Sequence, residues 1–410
     1  MRILSINSCN YGSTGNIMLQ IAETAKQRGD EVLICYPKSR SNAKKQRRGD
    51  LLIGNRLSRN VHVALAKVTG LNGCFSFFST LHFLQRVRKW KPDVIHLHNL
   101  HNCYVSLPLL FYFLKRSGIP TVWTLHDCWS MTGQCPHFTM VKCEKWKTGC
   151  HHCPQTHVYP AAFVDRTRFM WKRKRQWFRG VKNLTIVTPS QWLAGCVKES
   201  FLKDYPVKVI HNGIDLNVFR PCRSDFRERH QVPESEKIVL GVSFTWNKRK
   251  GIDVFTELAK RFAGKPYRIV LVGTDAEIEK ELPSGIIAIR KTQNQAELAE
   301  IYSAADVFVN PTREDTFPTV NIEALACGIP VITFKTGGSP EIVDESCGCV
   351  VPCDDIDALE KEIIRVCTEG PYSANACHAR AQKFDKQMKF EEYIDLYTDY
   401  TPDSVNKNTL

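Results

Sequence analysis

Acidic side chains are scarce in the first half of this chain. Residues 1–208 hold 10 Asp+Glu against 32 Lys+Arg, a net charge of +22. Residues 209–410 carry −8, so the chain total of +14 conceals a basic half joined to an acidic one. A long hydrophobic run is also missing: the longest apolar stretch, Val105–Leu114, falls far short of the ~20 residues that cross a bilayer. Arg2–Ser8 reads as a β-strand and lacks the basic segment and apolar core of a secretory leader. There is no low-complexity tract, and no internal repeat beyond a two-fold α/β plan. These absences exclude a membrane-spanning helix and a fibrous protein, and lead us to expect a cytosolic location. Cysteine, in contrast, is abundant at 17 residues, and in that compartment most should be reduced core side chains.

A chain of 410 residues has room for two ordinary domains. Strand signals at Arg2–Ser8, Glu31–Tyr36, Val94–His98, Thr121–His126 and Leu184–Pro189 alternate with helical segments, as in a parallel α/β layer. A second series starts near Val207 with KVIHNGI and continues through KIVLGVSF, YRIVLVG, GIIAIR, ADVFVNP and PVITF. The expected organisation is a domain over 1–208, a second over 209–385, and a final helix and loose tail over 386–410. The fold class is α/β with two Rossmann-like doubly wound domains.

Four stretches carry chemistry. Tyr11–Asn16, YGSTGN, follows the first strand and opens a helix; Gly12 and Gly15 allow close approach of a ligand to a helix N-terminus that favours negative charge. Val242–Gly251, VSFTWNKRKG, sets Lys248, Arg249 and Lys250 between a strand and a helix, where cations can offset charge developing on a departing diphosphate. Residues 306–343 run strand, acidic loop (Glu314, Asp315), helix carrying Glu323, Gly328 and strand, with Pro318 fitting a helix start where its missing N–H costs nothing. Gly337-Gly338-Ser339-Pro340-Glu341 follows the last central strand.

The 306–343 unit resembles the nucleotide-sugar half-site of glycosyltransferase family 4, and further pieces follow that family's order along nearly the whole chain. The resemblance implies a GT-B fold, two Rossmann-like domains facing a cleft with a C-terminal helix crossing back to the first, and retention of sugar configuration without a catalytic metal. The family signature is Glu, seven residues, Glu. Phe317, Glu323 and the Ala-Cys-Gly run put Asp315 in the first acidic position, with Glu314 the other candidate, and Glu323 at the acid that binds ribose hydroxyls. By the same resemblance Lys250 matches the lysine on the diphosphate, and Arg249 stands near a family arginine that is missing here. The helix amides of Thr319 and Val320, with Gly273, Gly337, Gly338, Gly12 and Gly15, approach the donor. His126 of Thr124–Asp127, TLHD, matches the cleft histidine beside the transferred sugar, and Asp127 would orient it or bind an acceptor hydroxyl. His98 and His101 read as packing or capping residues. Asn212–Gly213 is a turn in His211–Pro221, HNGIDLNVFRP, a string typical of the family that marks the entry to the second domain and is either a hinge without ligand contact or a binding loop.

The 128–153 segment departs from most of the family. Cys135, Cys143, Cys150 and Cys153, with one CxxC among them, are candidates for a structural tetrahedral zinc, or for reduced or disulfide-linked thiols. Arg166–Arg179, RTRFMWKRKRQWFR, mixes basic residues with Phe169, Trp171, Trp177 and Phe178, and Lys38–Arg48 adds six basic residues. Such a mixture suits an anionic lipid surface or stacking on single-stranded nucleic acid, or else a helix with aromatics in the core and a solvated basic face. The expected partners are a UDP-, GDP- or ADP-sugar, a polyprenyl-linked glycan acceptor and an anionic membrane surface at the inner face of the cytoplasmic membrane, with no specific nucleic acid. A glycoside phosphorylase, a nucleotide-sugar epimerase or a non-catalytic anion-binding protein are the alternatives.

Overall fold

The computed structural model describes residues 1–400, and the tail after Pro402 lies outside them. The chain divides into two compact units, Met1–His211 together with the chain from Lys389, and Asn212–Met388. No helix among the described residues is long and apolar enough to cross a membrane.

The first unit is built on a seven-stranded parallel sheet of β1 (Arg2–Ile6), β2 (Glu31–Pro37), β3 (Leu51–Ile53), β4 (Val94–Leu97), β5 (Thr121–Thr124), β6 (Leu184–Thr188) and β7 (Val207–Val209), in the order β3-β2-β1-β4-β5-β6-β7. β4, β5 and β6 are buried along their whole length, as a parallel sheet covered on both faces requires. Alternate residues serve opposite layers. Leu4, Ile95 and Trp123 join a core with Phe83, Phe111 and Phe178, whereas Ile3, Val94 and Val122 pack with Ile17 and Ile21 of α1 (Gly12–Gln27). Also in the first unit are α2 (Arg56–Thr69), α3 (Phe77–Trp90) and α4 (Thr167–Phe178).

The second unit holds a six-stranded parallel sheet of β8 (Lys237–Val242), β9 (Tyr267–Val272), β10 (Ile287–Ile289), β11 (Val307–Asn310), β12 (Val331–Phe334) and β13 (Gly348–Val351), in the order β10-β9-β8-β11-β12-β13. Helices α5 (Ile252–Arg261), α6 (Gln295–Ser303) and α7 (Thr319–Ala326) connect its strands. Val239, Leu271 and Ile332 face one apolar layer, and Leu240, Val270 and Val331 the other.

The last helix, α8 (Lys386–Thr398), brings Phe390, Tyr393, Ile394 and Tyr397 into the first unit's core, and the Tyr397 hydroxyl bonds His96 Nδ1 at 2.6 Å. The segment KVIHNGI, read from sequence as opening the second series, begins with β7 of the first sheet. Ile186 N–H donates to Pro206 O at 2.9 Å and Ile210 N–H to Thr188 O at 3.0 Å, and these ladder bonds hold Val207–Val209 against β6.

The helix from residue 167 is amphipathic in the plainer of the two senses. Met170, Trp171 and Phe178 of α4 are core residues, and the Trp171 indole donates to Trp146 O at 2.8 Å. Trp171 and Phe178 are therefore turned away from any surface partner, while Trp177 is half-buried and Phe169 exposed.

Candidate active site

Counted within its own unit, each sheet follows the order 3-2-1-4-5-6, with a seventh strand added at the edge of the first, and ligands of such sheets bind beyond the strand ends where that order reverses. In the second unit the reversal lies between β8 and β11. The loop after β8 carries Lys250 and the loop after β11 carries Asp315, and the sheet order makes the two loops neighbours. Lys250 Nζ meets Asp315 Oδ2 at 2.5 Å, both side chains about one-fifth exposed. The ammonium is thus held, but still within reach of an incoming anion.

The loop after β12 closes onto the same point. Gly337 has φ +51°, and a Cβ there would come 1.7 Å from the carbonyl oxygen of Asp315, so only glycine fits. Gly338 N–H donates to that same carbonyl at 3.3 Å. Ser339 Oγ is buried without a hydrogen-bond partner among the described residues, a group that ordinarily calls for water or a ligand. Gly273, at φ +89°, packs on Ser243 O at the head of the lysine loop, again too closely for a Cβ.

Thr319 and Val320 open α7, whose first N–H groups have no intrahelical acceptor and favour negative charge. Glu323, one turn on, accepts from the Tyr302 hydroxyl at 3.2 Å, and Tyr302 also donates to Val320 O at 3.3 Å. Burial pushes the Glu323 carboxyl up to about 7, against hydrogen bonds from Tyr302 and Thr319 that pull it down. Arg249 lies beside the Lys250–Asp315 pair: its guanidinium donates to Glu314 O at 3.3 Å, on the backbone next to Asp315. Glu314 itself is nearly fully buried, leaving Asp315 as the acid paired with Lys250.

In the first unit the reversal lies between β1 and β4. Gly12 starts α1 at φ +70°, and a Cβ on Gly15 would come 2.9 Å from the backbone of Asn10, which fixes the tight turn after β1. Asn7 Oδ1 accepts from Asn99 N–H at 3.3 Å and ties that turn to the loop after β4. His98 and His126, just past the ends of β4 and β5, stack with ring centres 5.3 Å apart, and His98 Nδ1 bonds His126 Nε2 at 3.0 Å. His98 Nε2 is buried without a partner, and an unused lone pair costs less there than an unused N–H. The proton of His98 therefore sits on Nδ1, and His126 keeps its own on Nδ1. Burial lowers His126 to about 4, so the ring is neutral at pH 7.

Asp127 Oδ2 bonds His101 Nε2 at 2.9 Å and its Oδ1 accepts from Trp129 N–H at 2.9 Å. Burial works to raise this carboxyl, yet His101 and the Trp129 amide hold it at about 2. His101 in turn bonds the Tyr159 hydroxyl at 2.9 Å. His98 and His101, taken from sequence as packing residues, are thus direct partners of His126 and Asp127. Tyr302 and Tyr159 carried no sequence signal, because both reach their partners only through the fold.

Two of the four cysteines are in direct contact. Cys135 and Cys153 share a thiol hydrogen bond that raises the first and lowers the second to about 6. Burial raises Cys150, with a smaller push from Cys143 and Cys153, and its Sγ accepts from Gly133 N–H at 3.1 Å. As placed, no group of three or more His, Cys, Asp or Glu among the described residues is arranged to hold a metal.

Residues 14–218 match the family model described as Glycosyltransferase Family 4, and residues 236–369 the model described as Glycosyl transferases group 1. The chain is a family 4 glycosyltransferase. A protein of Escherichia coli K12 named as a colanic acid biosynthesis glycosyl transferase, WcaC, is 26% identical to it over 318 residues, 75% of this chain and 76% of that one. The D-inositol 3-phosphate glycosyltransferase of Mycobacteroides abscessus is 30% identical over 177 residues, 39% of each chain. Among solved structures, sucrose-phosphate synthase of Thermosynechococcus elongatus superposes with a TM-score of 0.70 at 20% identity, covering 97% of this chain and 98% of the other. Anabaena HepE in complex with UDP does so with 0.68 at 17% identity, covering 97% and 100%. These neighbours make the fold of this glycosyltransferase GT-B, with two parallel-sheet Rossmann-like domains.

Proposed function

We propose that this family 4 enzyme transfers a sugar from a nucleotide diphosphate sugar, with a UDP, GDP or ADP carrier, to a hydroxyl of a lipid-linked glycan, and retains the sugar's configuration. The acceptor would be a polyprenyl-linked oligosaccharide of a surface polysaccharide, met at the anionic inner face of the cytoplasmic membrane. The observation that carries the reading is the Lys250–Asp315 pair at 2.5 Å, set against a glycine loop at the reversal point of the second sheet. Support from relatives lies in the colanic acid name of WcaC and in the UDP and UDP-glucose complexes of HepE.

In this mechanism Lys250 exchanges Asp315 for the incoming diphosphate, and the N–H groups of Thr319 and Val320 face the same charge. The bond from the anomeric carbon to the phosphate oxygen breaks, and its electron pair leaves on the diphosphate. The acceptor oxygen bonds to that carbon on the same face, and its proton passes to the departing phosphate. Glu323 accepts from the ribose hydroxyls, and His126, a neutral ring, is the first unit's candidate for contact with donor or acceptor. For the cysteine-rich segment we propose a structural zinc held by Cys135, Cys143, Cys150 and Cys153, supported by the thiol hydrogen bond of Cys135 and Cys153 and by the influence of Cys143 and Cys153 on Cys150.

The test is transfer by Glu323→Ala, with donor consumption and product followed by chromatography. We expect turnover to fall by roughly a hundredfold or more, while melting temperature stays near wild type. Near-normal turnover would refute the donor-site assignment.

A further inference from the structure

Helix α2 buries only His62 and Ala66 of its fourteen residues. Leu57, Val61, Ala64, Leu65 and Val68 recur at the three- and four-residue steps of one helical stripe, and all five are exposed, Leu57 by 73%. A stripe of this kind normally faces a core, and here it faces outward.

The surroundings extend the stripe into a surface. Ser58 Oγ bonds Ser79 Oγ and His62 Nδ1 bonds Ser76 Oγ, each at 2.8 Å, which fastens α2 beside the first turn of α3. There Phe77 and Phe78 stand out, Phe78 82% exposed. At the other end, Phe163 N–H donates to Lys67 O at 2.8 Å, and Lys67 Nζ lies 5.1 Å from the centre of the Phe163 ring, itself 64% exposed. Most of the large exposed apolar side chains among the described residues fall in 57–81 and 158–169. A contiguous apolar face of this kind marks a binding surface.

Charge identifies the occupant. From Leu51 to Pro92 there is no acidic residue, while Arg56, Arg59, Lys67, Arg86, Arg88, Lys89 and Lys91 are basic. Arg166 abuts Gly70 at the C-terminus of α2 and brings the basic start of α4 to the edge of the face. An apolar stripe with aromatic ends and a cationic border suits the headgroup layer of an anionic bilayer, where methyls and rings enter the interface and Arg and Lys meet lipid phosphates.

We infer that α2, the first turn of α3 and the 158–169 segment form the face by which this enzyme lies on an anionic membrane. The inference rests on the membrane part of the proposed function and locates it away from Trp171 and Phe178 of α4, which are in the core. It is tested by co-sedimentation of the full chain with vesicles of equimolar phosphatidylglycerol and phosphatidylcholine, and with phosphatidylcholine alone, at low and high salt. Wild type should pellet with the anionic vesicles only, and less at high salt. The double variant L57D/F78D, and separately F163D, should lower the bound fraction roughly tenfold, with melting temperature and transfer to a short soluble acceptor unchanged. Wild type that fails to pellet overturns both the membrane reading and this face. Wild type that pellets while L57D/F78D pellets equally overturns the face alone. A wild-type dimer that L57D/F78D converts to monomer, with vesicle binding intact, assigns the face to a second copy and overturns it too.

Discussion

Glu323 is the side chain whose chemistry is most exposed to experiment. Its burial favours the neutral acid, and with a carboxyl raised to about 7 the protein leaves the ordinary carboxylate range. Binding ribose hydroxyls needs the charged acceptor, so the donor KM should climb as pH falls through 7, by up to ~tenfold per unit well below it. Glu323→Gln should flatten that profile at a raised KM. Folding responds with the opposite sign to a usual salt-bridged acid. Between the unfolded and folded values the native state binds more protons, so Glu323 removes stability as pH rises through this window, and the Gln variant loses that slope. A wild-type KM independent of pH from 6 to 8 would contradict the assignment. The spacing from Asp315 to Glu323 was legible in the sequence because both lie on one short loop-helix unit. Tyr302 was not, since it reaches Glu323 from α6 across 21 residues. Arg249 was legible as a cation of the same loop, and its bond to Glu314 O keeps it next to Asp315.

At the level of elements, the cysteine-rich insertion is held from below by Lys174 of α4. Its ammonium donates to Trp129 O at 2.6 Å and Thr132 O at 3.1 Å, and lies 3.5 Å over the Trp129 ring. Burial brings this lysine down to about 7. That contact ties the segment to α4, with the Cys150 and Cys135 thiols near the ammonium. Metal analysis of purified enzyme should give about one equivalent of zinc, and chelation should lower the melting temperature. Less than a tenth of an equivalent, with folding intact in chelator, would end the zinc proposal. Regular elements were legible where burial on both faces leaves continuous apolar runs, as in β4, β8 and β11. The short strands β3 and β13 were not, because three or four residues beside charged or glycine-bearing loops give little periodic signal. β7 was assigned to the wrong sheet because its sequence leads directly into the interdomain turn.

For the whole molecule, the decisive feature is the repeated 3-2-1-4-5-6 order, which sets a ligand position in each sheet before any side chain is considered. The alternation of strand and helix made the two-domain plan readable, and the charge asymmetry pointed to an anionic partner of the first domain. What the sequence concealed was the outward stripe of α2, since an amphipathic helix reads the same whether its apolar side meets a core or a membrane. The central claim is that the second domain holds the nucleotide diphosphate between Lys250, the glycine loop and the start of α7. Thermal unfolding of wild type, Lys250→Ala and Glu323→Ala with UDP, GDP and ADP tests it most directly, because a ligand bound only by the native state at a hundred times its Kd adds ~2.7 kcal/mol of stability. The account predicts that at least one of the three raises the wild-type melting temperature, and that both variants lose most of that rise. No shift with any of them, or an undiminished shift in both variants, would contradict it.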